Sequence, residues 1–321
     1  MSMKFQLIPA MILAIALVSC GGDTANQADS TELSGSVSID GSSTVYLISE
    51  AVAEEFMALN PKVRVTVGES GTGAGFKKFG RGEIDINDAS RPIKSREDST
   101  AKASNISYEG LMVAYDGLAV VVNPKNTWCN DITVAELKTM WEPAAQGTIM
   151  RWNQIRPEWP NEEIHLFGPG TQSGTFDYFT EEVVGKAKEC RGDYTASEDD
   201  NILVQGVASD EKAIGFFGLA YYENNMDKMK LVGIDNGNGP VKPSIETVKN
   251  KSYTPLSRPL FIYVNSVAAA RPEVQALLHF YMDNAGVLAK EVGYVPMSDE
   301  ETMIEKEKLN KYIASLNTAS H

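Results

Sequence analysis

From residue 36 onward the chain keeps switching between two hydrophobic periods, and this limits it to folds that layer strands with helices. "SVSID" alternates as a strand does, and "GSSTVYLISEAVAEEFMALNP" then places Val45, Ile48, Val52, Phe56 and Leu59 at helical spacing, with Asn60-Pro61 as the stop. "VRVTV" (63–67) alternates again. The glycine-rich "GESGTGAG" leads into a short helix at "FKKFG", and "GEIDINDASRPI" reads as a strand ending in a loop. The expected fold class is therefore α/β.

Two apolar segments are long enough to carry the chain from one domain to another. They are "LMVAYDGLAVVVN" (111–123), read as two strand-like runs around Asp116-Gly117, and "TPLSRPLFIYVN" (254–265). Between them lie the helices "TVAELKTMW" and "GTFDYFTEEVV". After the second come helices at 272–284 and about 300–316, which can return to the first domain. The expected plan is a discontinuous domain 1 (36–115 and 261–321) and a domain 2 (116–260), joined by two crossings that form a hinge suited to closing on a ligand.

The first residues, "MSMKFQLIPAMILAIALVSC", have the form of an export signal, with one lysine, an apolar run from Ile8 to Val18, and Ser19 before Cys20. The run is too short to span a membrane. Leu17-Val18-Ser19-Cys20 resembles a bacterial lipobox, which implies a signal peptide over 1–19, a lipidated Cys20, and attachment to a membrane through the lipid. The polar segment 20–35 then serves as a tether. Cys129 and Cys190 remain, and in an exported chain they are expected to pair as a disulfide. With 29 basic and 43 acidic side chains and a net charge of -14, the chain is poorly suited to nucleic acid.

Three stretches share one design, small or hydroxyl residues directly before an amphipathic helix: "DGSSTVYL" (40–47), "ESGTGAGF" (69–76) and "GTQSGTFDYF" (170–179). A helix start exposes unpaired N–H groups and the positive end of the dipole, so it can hold an anion. Ser and Thr are also ordinary N-caps, and any one stretch alone would be unremarkable for that reason; their number and their distribution across the proposed hinge carry the argument. A guanidinium suits a tetrahedral oxyanion. "ASRPIK" offers Ser90 and Arg91 after a strand end; Arg258 in "LSRP" has a similar claim but reads first as a brace of the crossing.

No catalytic set assembles. The G-x-S-x-G pattern fails around Ser70 and Ser173, the glycine run 71–75 misses the dinucleotide fingerprint at Phe76, and there is no Walker A or H-E-x-x-H. "DNGNGPVKPSIE" (235–246) has the terminal acids of a calcium loop but glycines and proline at required positions. Glu198-Asp199-Asp200 reads as the capped start of a helix rather than a cation site. No enzyme activity, metal or cofactor is expected.

"GSSTV", "ESGTGAGFKKF", "GEIDINDASRPIK", "FGPGTQSGTFDYF", "YTASEDDNILVQGVASDEKAIGFFGLAYY" and "YTPLSRPLFIYV" occur in order, and together they resemble the PstS family, the solute-binding components of bacterial phosphate importers. The resemblance runs from about Ser36 to Tyr294. It implies a type II periplasmic-binding-protein fold, two α/β domains joined by a two-crossing hinge with the ligand in the interdomain cleft. It further implies phosphate as ligand, held by Ser43, Thr44, the Val45 amide, Ser70, Ser173, Gly174 and Thr175. Ser90 and Arg91 complete the expected set.

The partners implied are the permease and ATPase subunits of an ABC transporter, for a monomeric, membrane-anchored lipoprotein of the periplasm or cell surface. One departure bears on selectivity: Arg91 stands where the best-known branch has an aspartate, and Pro169 where that branch has its arginine. A carboxylate that accepts the phosphate proton excludes sulfate, and Asp177, Asp88 and Glu69 are the candidates for that role. Alternatives are another tetrahedral oxyanion such as sulfate, arsenate or molybdate and, more remotely, a phosphohydrolase or a surface adhesin or sensor on the same fold.

Overall fold

The strand–loop–helix order read from residue 36 is the order observed. In a computed structural model that describes residues 32–171 and 173–319, the chain runs β1 (Gly35–Gly41), α1 (Ser43–Leu59), β2 (Val63–Gly68), α2 (Thr72–Phe79), β3 (Ile86–Ala89), α3 (Ser95–Ala103) and β4 (Tyr108–Val122). It continues through β5 (Asp131–Thr133), α4 (Val134–Trp141), β6 (His165–Pro169), α5 (Gly174–Phe179), β7 (Thr195–Ser197), α6 (Asp200–Ser209), β8 (Ala213–Gly218) and α7 (Leu219–Glu223). β9 (Lys230–Leu231), β10 (Gly233–Asp235), β11 (Pro240–Val241), α8 (Ile245–Lys249), β12 (Ser257–Asn265), α9 (Ser266–Ala269), α10 (Pro272–Glu291) and α11 (Asp299–Ala319) follow. The expected signal 1–19, Cys20 and most of the tether lie outside the described residues.

The main sheet has the order β2-β1-β3-β12-β4-β8-β6-β7, with β9 also on β4. β1 pairs in parallel with β2 and β3, whereas β12 runs antiparallel to both β3 and β4. β4 is the pivot: from Tyr108 to Gly117 it pairs with β12, and from Leu118 to Val122 it pairs with β8. The two runs expected around Asp116-Gly117 are thus one strand of 15 residues. Asp116 does not break it because Arg258 lies opposite on β12. The expected domain limits at 115/116 and 260/261 fall inside these two strands.

Helical spacing also translates into burial. Val45, Ile48, Val52 and Phe56 of α1 are at most 2% exposed and pack into the core, while Leu59, in the last turn, is 70% exposed. α5 is short and passes into a wide π-type turn over Thr180–Val184, ended by Gly185 at φ 107°. The acidic triplet behaves as expected, with Asp199 accepting the Asn201 amide at the start of α6.

The expected disulfide is not formed: Cys129 and Cys190 are both free. They occupy different surroundings, Cys129 near Lys230 and Arg156, Cys190 beside Arg191 and Tyr194. Burial pushes each thiol up to about 12, which leaves both protonated and unreactive. Among the described residues no helix is long and apolar enough to cross a membrane.

Candidate functional site

The starts of α1 and α2, the end of β3, one face of α5 and the first residues of β12 converge on a cavity of about 680 Å³. Each contributes for a local reason. Ser42 is the N-cap of α1 and accepts the Thr44 and Val45 amides at 3.2 and 3.5 Å, which leaves Ser43 and Thr44 to face the cavity. The Val45 amide, expected to meet the ligand, points to the Ser42 cap at 3.5 Å, and the Val45 side chain is fully buried.

α2 starts differently. Its N-cap is Gly71 at φ 89°, a conformation that favours glycine, and no side chain caps the helix. Thr72, Gly73 and Ala74, whose amides form the uncapped first turn, all line the cavity with Ser70. The sequence reading took only Ser70 from this loop, although the glycine run was the signal for the rest. Ser90 closes the same side, its amide donating to Thr72 Oγ1 at 3.2 Å and its hydroxyl 3.0 Å from that atom.

On the opposite side, Ser173 caps α5 by accepting the Thr175 amide at 3.2 Å. Ser173, Gly174 and Thr175 are not among the residues lining the cavity; Asp177 and Tyr178, one turn on, are. Gly174 is where the two sides touch. A Cβ there would lie 2.7 Å from Thr44 Cα and 2.9 Å from its nitrogen, so only glycine lets the starts of α1 and α5 approach this closely.

The three candidate carboxylates separate clearly. Asp177 lines the cavity, accepts from Ser43 Oγ at 3.0 Å through Oδ2, and keeps Oδ1 buried without a partner. Burial raises its pKa above the usual carboxylate value, with the Ser43 hydroxyl and Lys188 acting against that shift. Asp88 sits behind α1, fully buried, bonded by Ser49 Oγ at 2.9 Å, and burial holds its carboxyl well above the ordinary range. Neither Asp88 nor the exposed Glu69 lines the cavity.

Three cations do: Arg91, Lys94 and Arg258. Arg91 binds Glu97 with both terminal nitrogens at 2.8 Å. Burial acts to raise the Glu97 carboxyl, but Arg91 and the Lys94 amide hold it below the usual range. Arg258, which the sequence offers as a second anion contact but which reads first as a brace of the crossing, reaches the cavity: its Nη2 donates to Thr44 Oγ1 at 2.9 Å, and its guanidinium carbon lies 3.5 Å from the Tyr178 ring centre. Asp116, 3.4 Å from its Nε, is fully buried, and burial pushes that carboxyl up to about 6 against the pull of Arg258. The sequence marks Arg258 as a candidate but not its pairing, because only strand register brings Arg258 and Asp116 face to face.

The lining also carries Asp177, Glu181 and Glu182, so its cations and carboxylates balance. An anion held here would depend on oriented hydroxyls, the uncapped α2 start and a guanidinium rather than on net charge. Among the described residues no group of three or more His, Cys, Asp or Glu side chains is placed to hold a metal ion.

Known proteins carry the same architecture. A family profile described as a PBP superfamily domain matches residues 26–285. Protein SphX of Synechocystis sp. is 46% identical over 306 residues, covering 95% of this chain and 89% of SphX. The phosphate-binding protein PstS of Staphylococcus epidermidis is 36% identical over 296 residues, 91% of this chain and 89% of that protein. Among solved structures, that of a possible phosphate binding protein from Planctomyces limnophilus superposes with a TM-score of 0.84 at 46% identity, covering 87% of this chain and 99% of the other. The fold is the type II periplasmic-binding-protein fold, and the chain belongs to the PBP superfamily and, within it, to the PstS family of phosphate-binding proteins.

Proposed function

We propose that the protein binds inorganic phosphate in this cavity and delivers it to the permease and ATPase subunits of an ABC transporter, without chemistry on the ligand. The observation that carries this reading is the convergence of the uncapped first turn of α2 with the hydroxyls of Ser43, Thr44, Ser70, Thr72 and Ser90. Micromolar affinity needs about -8 kcal/mol. Charge-assisted hydrogen bonds contribute about 1.5–3 kcal/mol each, so a handful of such donors suffices after ordering costs.

Asp177 is the carboxylate best placed to accept the phosphate proton, since its Oδ1 is buried and unpartnered at the cavity. Fully ionised sulfate has no proton to offer, and an unmet buried acceptor costs about 1–3 kcal/mol or more when charged. The export signal, the lipid on Cys20 and a two-domain hinge at β4 and β12 belong to the same reading: a monomeric lipoprotein outside the cytoplasmic membrane, closing over its ligand. Relatives named for phosphate binding support it.

Calorimetric titration of ligand-stripped protein with phosphate and then sulfate, from pH 5 to 9, tests the reading. Tight phosphate binding with sulfate excluded is expected. Comparable sulfate binding would assign the site to tetrahedral oxyanions in general, and no binding of phosphate would refute the proposal.

A further inference from the structure

Two arginines line the cavity, and their surroundings differ in a way that assigns them different work. Arg91 directs three of its five N–H donors at Glu97 and Pro92. Nη1 and Nη2 each lie 2.8 Å from a Glu97 oxygen, Nη1 also donates to the Pro92 carbonyl at 3.1 Å, and Glu97 accepts the Lys94 amide at 2.8 Å at the start of α3. Turning Arg91 onto a ligand would break a bidentate pair and loosen that helix start.

Arg258 is held on three sides and open on the fourth. Nη2 donates to Thr44 Oγ1, the planar face lies on Tyr178, and Nε faces Asp116. Tyr178 is itself fixed, its hydroxyl donating to the Pro255 carbonyl at 2.5 Å. Nη1 has no hydrogen-bond partner among the described residues, and Arg258 is a lining residue of the cavity.

Asp116 explains how the guanidinium keeps this pose. It lies opposite Arg258 in the β4–β12 register, and its two buried oxygens make no well-formed hydrogen bond, so it acts as a fixed charge behind the arginine. A guanidinium already desolvated, stacked and oriented loses little freedom when an anion arrives.

We propose that Arg258 is the guanidinium that contacts the bound oxyanion, that Asp116 is its positioning residue, and that Arg91 braces the start of α3 at the cavity edge. This rests on the phosphate-binding reading above. It also places the principal cationic contact on the strand pair where β4 exchanges β12 for β8, so the anion is gripped at the crossing itself.

Calorimetry of the full chain with inorganic phosphate separates the two arginines. Losing a charge-assisted donor lowers affinity by roughly 10- to 150-fold. Arg258→Ala is expected in the upper part of that range and Arg91→Ala below about tenfold, with thermal unfolding confirming a cooperative fold in each. Where Arg258→Ala does not fold, the charge-conserving pair Arg258→Lys and Arg91→Lys decides, the former losing more because an ammonium cannot reproduce the planar fork.

For Asp116, the readout is spectroscopic. In protein labelled with ¹⁵N-arginine, the Nε–H resonance missing from Arg258→Lys should move on phosphate addition. Asp116→Asn should shift that resonance in ligand-free protein while leaving the Arg91 resonance in place. A greater loss from the Arg91 variants than from the Arg258 variants, or an Arg258 resonance indifferent to phosphate, would overturn the assignment while leaving phosphate binding intact. A wild-type chain that takes no phosphate would overturn the functional reading itself, and this assignment with it.

Discussion

Ser43 and Asp177 meet across the cavity, the serine Oγ donating to the aspartate Oδ2 at 3.0 Å, while Asp177 Oδ1 stays buried and unpartnered. The pair joins the start of α1 to the first turn of α5, and it leaves one carboxylate oxygen to be satisfied by a donor that enters the cavity. A protonated phosphate is such a donor.

Asp177→Asn should therefore narrow the preference for phosphate over sulfate by roughly 5- to 150-fold, the equivalent of one unmet buried group. The amide removes the charge that repels sulfate and can itself donate. Competition titrations at pH 8 with both anions check this; an unchanged ratio would remove Asp177 from proton reading.

Gly174→Ala should weaken phosphate binding by roughly tenfold or more and also lower stability, by about 1–3 kcal/mol. Its Cβ would press on Thr44 backbone atoms at 2.7 and 2.9 Å, so the starts of α1 and α5 must separate. The hydroxyls at the start of α1 and the α5 residues Asp177 and Tyr178 then lose their common focus, which amounts to the loss of at least one charge-assisted contact. Helix propensity favours alanine over glycine and offsets part of the strain. Titration beside urea denaturation distinguishes the two effects.

Asp116 gives the stability a definite pH dependence. Burial raises its carboxyl from 3.8 to about 6, so the folded chain holds that proton more tightly than the unfolded chain does. The resulting stabilisation is complete below about pH 4 and is lost as pH rises through 6, by up to about 3 kcal/mol. Asp116→Asn should flatten this part of the profile. Asp200, also pushed to about 6 by burial beside Asp199 and Glu198, titrates in the same window, so Asp200→Asn should remove a separate share. Urea midpoints between pH 4 and 7 measure both.

Gly286→Ala serves as a control remote from the cavity. The position lies inside α10, and an added Cβ meets only Pro296 Cβ at 4.0 Å. Stability should rise by about 0.5–1 kcal/mol through helix propensity and a less flexible unfolded chain, with phosphate affinity unchanged.

Much of this was legible in the amino-acid sequence. Hydrophobic period reports local backbone geometry and the buried face, so α1, its stop at Asn60, β1, β2 and the capped start of α6 could be placed from their own residues. Glycine and hydroxyl runs before helices likewise announced the loops that build the cavity, because the requirements of a helix start are local. What the residues could not state is which atoms those loops turn toward one another. The Val45 amide, read as a ligand donor, points to Ser42 Oγ at 3.5 Å, and Thr72 to Ala74, not named as ligand residues, form an uncapped turn that faces the cavity.

The arginines show the limit most plainly. "ASRPI" advertised Arg91 after a strand end, and Glu97, six residues on in the first turn of α3, pairs with both its terminal nitrogens. Arg258 is 214 residues from Thr44, and only the antiparallel register of β4 with β12 sets it against Asp116 and beside Thr44 and Tyr178. Local pattern fixed the elements because each element's periodicity and caps follow from neighbouring residues. Tertiary structure decided the site because distances between remote side chains depend on strand register and chain crossings, which no local window contains.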